Sequence, residues 1–314
     1  PVLGKSVVHI RRDVNVLEKK SDKSVSGKIV CAYNGIRGTY AEQAVNRYFD
    51  GEAEAKSVPS FKEIFKAVMN GDADYGMVPI ENSLGGSVYD NYDNLTRFED
   101  VSIVGALSLR IQHALLAPKG ATIHTIKRVY SHPQGFAQCV KMIEDHKWEK
   151  ITASSTATAA KMVSDACSKE NAAIASAITA KYYNLEILQE DIQDDPRDYT
   201  RFVVIAANHV QQKSLDFGKS PNVISFVFCT ENETGALYNA LGVFQRNKLN
   251  LTRLESRPIK GQPWHYWFYA DASLENDEQK TNKYVQSVIN ELKSVSEHVR
   301  VLGVYSEAEQ MIKN

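Results

Sequence analysis

From Lys28 onward the chain alternates between two hydrophobic rhythms. Short apolar runs, "KIVCAY", "DYGMVPI", "RVYS", "NAAIAS" and "TRFVVIAA", read as strands. Between them lie segments with apolar positions three and four apart. In "SFKEIFKAVMNG", Phe61, Ile64, Phe65 and Val68 share one helical face, Ser60 and Glu63 fit a capping box, and Gly71 stops the helix. "TYAEQAVNRYF", "QGFAQCVKMI" and "STATAAKMV" read as further helices. The region "VSIVGALSLRIQHALLAP" is a long strand region suited to crossing between two lobes. Strand–loop–helix alternation of this kind predicts an α/β fold, in which ligands bind where loops leave the carboxyl ends of strands.

The rhythm breaks near "HVQQKSLDFGKSPN", where Gly218, Ser220 and Pro221 suggest a linker. A compact unit follows: strand "NVISFVFCT", helix "TGALYNALGVFQRN", strands "LNLTRLESRPI" and "WHYWFYADAS" around a "KGQP" turn, a charged helix, and the strand "VRVLGVY". This β-α-β-β-α-β order is that of a ferredoxin-like sandwich. The expected organisation is therefore a tail or linker over 1–27, a catalytic-looking α/β region over 28–210, and a small α+β domain over 220–306.

Composition narrows the function classes. The 314 residues are 43% hydrophobic and 24% charged, with a net charge of −1, so no basic excess points to nucleic acid as a partner. No apolar run approaches the roughly 18–20 residues needed to span a bilayer, and the first residues, "PVLGKSVVHIRRDVN", lack the apolar core of a secretory signal. They also lack an initiator Met, as expected of a processed chain or a piece of a longer one. The four cysteines (Cys31, Cys139, Cys167, Cys229) and eight histidines show no metal-ligand spacing, so a reducing compartment and no metal or other cofactor are expected.

Four strand ends carry candidate chemistry. "VPIENSLGGS" places Glu81, Asn82 and Ser83 just past a strand, with Gly85 and Gly86 allowing close backbone approach. Glu81 can serve there as general acid or base; alternatively, Glu81 and Asn82 cap a helix starting near Ser87. "YSHPQGFAQC" puts Ser131 and Gln134 at another strand end, with Gln138 one helical turn on, at a helix start that favours anions; the plainer reading makes Ser131 a cap. "SSTATAA" (Ser155, Thr156) and "NGIRGTY" (Thr39) are similar turns, too short for a phosphate-loop fingerprint. In "DDPRDYTRFVVI", Thr200, Arg201 and Phe202 stand at the mouth of a strand. Together these hydroxyls, amides, one carboxylate and Arg201 predict a site for a small polyanion.

The motifs "GIRGTYAEQA", "VPIENSLGGS", "YSHPQGFAQC", "STATAA", "AAIAS" and "DYTRFVVIA" resemble, in order, those of prephenate dehydratases. "GALYNALGVF" and "LTRLESRPIKGQPWHYWFYAD" look like the phenylalanine-binding ACT domain that follows in that family. The resemblance spans 28–306. It implies a catalytic domain like the two-lobed type II periplasmic binding proteins, with the active site between lobes. Thr200, Glu81, Asn82 and Gln138 would be catalytic; Thr39, Ser83, Ser131, Gln134, Ser155, Thr156, Arg201 and Phe202 would bind substrate; and Gly235, Ala236, Leu237, Glu255, Ser256, Arg257 and Pro258 would bind phenylalanine at a subunit interface. It further implies a homo-oligomer, dimeric or tetrameric, feedback-inhibited by phenylalanine, in a cytoplasm or a plastid stroma. One departure stands out: the residue two before the Thr is usually Asn in this family and here is Asp198. The "SLGGSVYDNYDNL" segment resembles arogenate-using enzymes, whereas "TRLESRPIKGQPW" resembles bifunctional enzymes with an upstream chorismate mutase, for which residues 1–27 are too few.

Dehydration with decarboxylation of prephenate leaves an aromatic ring, so positioning and preorganised donors suffice without a cofactor. On this reading Thr200 donates to the leaving hydroxyl or relays a proton from Glu81, Phe202 walls the ring, and Arg201 either grips a substrate carboxylate or pairs with Asp194, Asp195 or Asp198. Arogenate dehydratase and a mixed cyclohexadienyl dehydratase are the close alternatives. A non-catalytic amino-acid sensor is the remote one, and it has no need of a leaving-group donor.

Overall fold

The computed structural model describes residues 28–208 and 220–308, so the expected tail over 1–27 and most of the expected linker lie outside the described residues. The first lobe runs β1 (Val30–Asn34), α1 (Tyr40–Tyr48), β2 (Glu54–Val58), α2 (Phe61–Met69), β3 (Tyr75–Asn82), β4 (Gly86–Ser87), α3 (Tyr89–Arg97) and β5 (Val101–Arg110). The second runs β6 (Ala114–Ala117), β7 (Arg128–Ser131), α4 (Pro133–Gln138), α5 (Val140–His146), β8 (Glu149–Thr152), α6 (Thr156–Ala166), β9 (Asn171–Ala175), α7 (Ile178–Tyr182) and β10 (Glu186–Gln189). β11 (Tyr199–Ala207) returns to the first lobe. The chain thus crosses between lobes twice, once at 111–113 and once at 190–198. After it come β12 (Val223–Cys229), α8 (Ala236–Arg246), β13 (Asn250–Pro258), β14 (Tyr266–Ser273), α9 (Asn282–Lys293) and β15 (His298–Ala308).

Local sequence explains the elements that carry the site. α2 begins where the Ser60 hydroxyl accepts from the Glu63 amide, but the Glu63 carboxylate pairs with Lys66 at 2.7 Å, so only half of the expected capping box forms. Its Ile64 and Phe65 are fully buried, each stabilising by about 1.5–3 kcal/mol. α3 starts from Val88 with no side-chain cap, which removes the reading of Glu81 and Asn82 as helix caps.

Two sheets form. The second lobe has order β10-β6-β9-β7-β8. The larger sheet has order β13-β14-β12-β15-β5-β11-β3-β1-β2, with β4 paired to β3. Its first four strands, with α8 and α9, make the βαββαβ ferredoxin-like unit. That unit is continuous with the first lobe, because the end of β15 pairs in parallel with β5 through Ser306–Gly105, Glu307–Ala106 and Ala308–Leu107. A Cβ on Gly303 would clash with the Ile103 carbonyl, so the close approach of β15 to β5 needs glycine there. One face of the first-lobe sheet packs on α1 through Tyr33, Val45, Met77, Phe202 and Val204. The other packs on α2 and α3, and there Val227, Tyr269, Leu302 and Tyr305 of the C-terminal unit join Ile64, Val78, Ile80 and Val203 in one core.

Candidate active site

The pairing of β3 with β11 decides which side chains meet. Val203 lies opposite Val78 and Phe202 opposite Pro79, but Arg201 lies opposite Glu81 and Thr200 opposite Asn82. Ile80 is therefore an extra residue, a bulge. A one-residue slip turns every later side chain to the other face. Without it, Glu81 would share the face of Met77 and point beside Thr200. With it, Asn82 takes that place and Glu81 turns to the face of α3 and the C-terminal unit.

Asn82, 7% exposed, becomes a hub. Its Nδ2 lies 2.6 Å from Asp198 Oδ1, 3.1 Å from Thr200 Oγ1 and 3.3 Å from the Tyr199 carbonyl. Its Oδ1 accepts from the Leu84 and Gly85 amides at 3.1 and 2.6 Å and, across the cleft, from Gln134 Nε2 at 3.1 Å. A Cβ on Gly85 would clash with Gln134 Nε2, so this closure needs glycine. The lobes are also joined by Gln43 Nε2 to Ser176 Oγ at 3.0 Å, by Tyr183 Oη to the Arg37 carbonyl at 2.7 Å, and by the Arg37 guanidinium over the Tyr182 ring at 4.0 Å.

A second chain of contacts runs through the first crossing. His113, 2% exposed, has Nε2 at 2.8 Å from Gln138 Oε1 and Nδ1 at 3.0 Å from Tyr40 Oη. Burial lowers its pKa, which keeps the ring neutral near pH 7, and burial raises the Tyr40 phenol. Beside it lies a cavity of about 280 Å³ lined by Tyr40, Gln43, Arg110, His113, Ser176 and Asp191, among others. Tyr40, Gln43, Arg110, His113 and Ser176 escaped the sequence reading. The available signal was a lone histidine in "RIQHALLAP", between two strands at a lobe crossing.

The other expected residues divide by what they touch. Asn82, Thr200 and Gln134 come together at the cleft, and Gln138 meets His113 instead. Thr39 and Ser155 are helix caps, accepting from Glu42 N and Thr158 N, and Thr156 opens α6. Ser83 latches its loop, donating to the Arg197 carbonyl at 3.0 Å and accepting from Tyr199 N at 2.9 Å. Ser131 is fully buried, and its hydroxyl donates to the Ile174 carbonyl at 2.9 Å, tying β7 to β9; the cap of α4 is His132 instead. Phe202, 2% exposed, is core.

Two expected placements need correction. Glu81 pairs with Arg253 of the C-terminal unit, so it does not relay a proton to Thr200. Arg201 pairs neither with a cleft group nor with Asp194, Asp195 or Asp198. Its Nη1 lies 2.6 Å from Asp271 and its Nε 2.7 Å from Glu307, with Tyr305 Oη at 3.2 Å from Nη2. Burial acts to lower its pKa, but Tyr305 and the two carboxylates together hold it well above the usual guanidinium value. The expected phenylalanine-binding set also splits. Glu255 accepts from Ser87 at 2.5 Å, and Arg257 reaches Asp93 at 3.3 Å over the Tyr89 ring, both facing the catalytic lobe. Ser256 pairs with Phe268 on the opposite face and, like Pro258, is exposed. Gly235, at φ 85°, caps α8 ahead of Ala236, and Leu237 lines a separate cavity of about 140 Å³ with Thr230, Trp264 and Phe268.

Two lobes around a cleft, a strand-end hub of amides, carboxyl and hydroxyl, and an attached βαββαβ unit define a two-lobed α/β protein with an interlobe site and an appended ferredoxin-like domain. The family model for prephenate dehydratase matches residues 31–210. A prephenate dehydratase of Methanocaldococcus jannaschii is 37% identical over 87% of this chain and 96% of its own. "Arogenate dehydratase/prephenate dehydratase 2, chloroplastic" of Arabidopsis thaliana is 35% identical over 90% of this chain and 74% of its own. Among solved structures, a prephenate dehydratase from Arthrobacter aurescens in complex with L-Phe superposes with a TM-score of 0.76, at 29% identity over 88% of this chain and 90% of that one. GqqA, described as a novel type of quorum quenching acylase, superposes with a TM-score of 0.78, at 30% identity over 89% and 98%. The chain belongs to the prephenate dehydratase family. Among the described residues, no helix is long and apolar enough to cross a membrane.

Proposed function

We propose that this chain converts prephenate to phenylpyruvate, water and CO₂ in the closed cleft between its lobes, and that phenylalanine bound to the C-terminal ACT-like domain regulates it. The observation that carries this reading is the Asn82 hub, which brings Thr200 from β11 and Gln134 from the other lobe onto one amide. Thr200 is the donor to the departing hydroxyl, and Asn82, Gln134 and Gln138 hold the substrate in place. The cation for a substrate carboxylate is Arg110, which faces the cleft cavity, in place of the turned-away Arg201. We divide the chain into domains at 28–210 and 220–306; the Arthrobacter complex supports L-Phe as a ligand, and its place in the second part is our assignment. Gly235, Ala236, Leu237 and Ser256 are the residues of this chain we assign to that site. We also infer a homo-oligomer, which would cover the exposed Tyr238 and Trp264 rings, at 79% and 75% exposure, and a cytoplasmic or plastid location.

Arogenate is the second substrate reading, favoured by the dual name of the Arabidopsis relative. The acylase description of GqqA calls for an activated nucleophile. Here the His113 nitrogens face Tyr40 and Gln138, and His132 Nδ1 accepts from Gln134 N, so among the described residues no histidine is bonded to Thr200 as a base. Steady-state kinetics on prephenate and arogenate, each with and without phenylalanine, test the proposal. Prephenate turnover depressed by phenylalanine is expected. A strong preference for arogenate moves the enzyme to the other substrate, and no turnover of either refutes the assignment.

A further inference from the structure

Asp198 sits at the end of the second lobe crossing, two residues before Thr200. Its backbone carbonyl accepts from Ile111 N at 2.8 Å, which pins the two crossings together. The side chain is fully buried, at 0% exposure. Oδ1 accepts from Asn82 Nδ2, the same nitrogen that reaches Thr200 Oγ1, so carboxyl and hydroxyl lie side by side on one amide. Oδ2 is buried without a hydrogen-bond partner.

Burial disfavours the charge of this carboxyl; the Asn82 amide, donating to Oδ1, favours it in part, and the other groups around it do not. Asp195, in its own loop, opposes ionisation. Tyr40 from α1 and Cys139 from the junction of α4 and α5 face it as weak acids, each raised by burial, the thiol to about 12. The nearby cations are engaged elsewhere: Arg197 is bidentate on Asp195 at 3.0 and 2.8 Å, and Arg110 donates its Nε to the Pro196 carbonyl at 3.0 Å. Burial accordingly raises the Asp198 pKa. In the protonated form, Oδ2 carries a proton with no acceptor; in the ionised form it is a bare oxyanion away from water, the costlier state.

The reaction proposed above needs one proton. Hydroxide leaves poorly, and the hydroxyl of Thr200 is a weak acid. Glu81, the acid the sequence suggested, is turned to the other face by the bulge at Ile80. We propose that Asp198 is the proton donor to the departing hydroxyl, with Thr200 orienting that oxygen and Asn82 holding donor and orienter together. In this step the ring C–O bond breaks as the oxygen takes the Asp198 proton and leaves as water. The electron pair of the bond to the ring carboxylate moves into the ring, which becomes aromatic as CO₂ departs. Asp198 is left ionised and takes its proton back from solvent when products leave. The proposal rests on the reading that the Thr200 face receives the leaving-group end of the substrate.

The test is the pH profile of prephenate turnover from about pH 5 to 9 for the intact chain and for Asp198→Asn, together with calorimetric binding of phenylpyruvate. Asparagine keeps the shape and can still donate a hydrogen bond, but it has no proton to give. The expected wild-type profile falls on the alkaline side with one ionisation. Asp198→Asn is expected to lower kcat on the order of 10²-fold, the lower end for general acid catalysis, to lose that alkaline limb, and to bind phenylpyruvate as the wild type does. A wild-type rate that climbs steadily toward pH 9 overturns the proposal without any variant. So does an Asp198→Asn enzyme within threefold of wild type, or one impaired with arogenate alone, which would make Asp198 the partner of a substrate ammonium. Failure of the wild type on both substrates overturns the dehydratase reading itself, a distinct result.

Discussion

Replacing Asn82 by Asp keeps the side chain's shape and changes one NH₂ into an oxygen. The Oδ1 side is unaffected and still accepts from Leu84, Gly85 and Gln134. The other side now sets an oxygen where a nitrogen stood 2.6 Å from Asp198 Oδ1. The two amide protons serve at most two of the three acceptors around them, so about two hydrogen bonds are lost, or roughly 2 kcal/mol at about 1 kcal/mol each. Ionising both carboxyls adds repulsion, so the pair holds a shared proton and its second ionisation is raised. A raised folded-state pKa gives stability that is present at low pH and lost as pH climbs through it. The Asn82→Asp protein should therefore melt about 4–8 °C below wild type near pH 8, at about 2–4 °C per kcal/mol for a chain of this size. The deficit should shrink toward pH 5, where an O–H···O bond replaces the lost N–H···O bond. Prephenate turnover should fall on the order of 10²-fold at pH 8. Melting curves at the two pH values are the assay. A deficit that is absent, or that grows toward acid, would refute the hub as drawn.

Other consequences can be checked in the same way. Asp271→Asn leaves Arg201 buried with Glu307 as its remaining carboxylate and should cost about 1–3 kcal/mol; because the pair is only 11–12% exposed, 0.5 M salt should not reproduce the effect in wild type, as thermal melts will show. Gly85→Ala should push Gln134 off Asn82 and open the cleft, lowering kcat at least tenfold while the melting temperature moves by a few degrees at most. His113, with its pKa lowered from 6.5 by burial, contributes stability that is present above about pH 6.5 and lost as pH falls, so His113→Gln should melt with a shallower pH dependence between 7.5 and 5.5 than wild type. Arg110→Gln should raise KM for prephenate tenfold or more with a smaller change in kcat, whereas an unchanged KM would remove Arg110 from carboxylate binding.

Strands buried on both faces were legible because their apolar runs are continuous. "NAAIA" in β9 and "VISFVFC" in β12 are fully buried, as their composition predicts. Three edge strands were not, although the edge strand β13 was. β2, β8 and β10 mix exposed and half-buried polar residues, and no run of residues 54–58, 149–152 or 186–189 carries a strand rhythm. The candidate site was legible as a list of strand ends but not as an arrangement. Glu81 and Asn82 are neighbours in sequence, and strict alternation assigns them to faces the wrong way round; the bulge at Ile80 has no local signature in "MVPIENS". Arg201 was misplaced for a related reason. Its partners Asp271 and Glu307 lie 70 and 106 residues away, on an element whose docking against the first lobe is set by the β15–β5 pairing. His113 was missed because a single buried histidine carries no spacing pattern.

On the proposed function, chemistry belongs to the face of Thr200 and Asn82, and the face of Glu81 and Arg201 anchors the C-terminal unit. Initial rates of phenylpyruvate formation from prephenate, measured for wild type, Thr200→Ala and Glu81→Gln in one assay, test it most directly. Thr200→Ala should lose on the order of 10²–10³-fold, as for removal of a transition-state donor, and Glu81→Gln should stay within a few fold of wild type. Full activity in Thr200→Ala, or a silent Glu81→Gln enzyme that still folds, would contradict it.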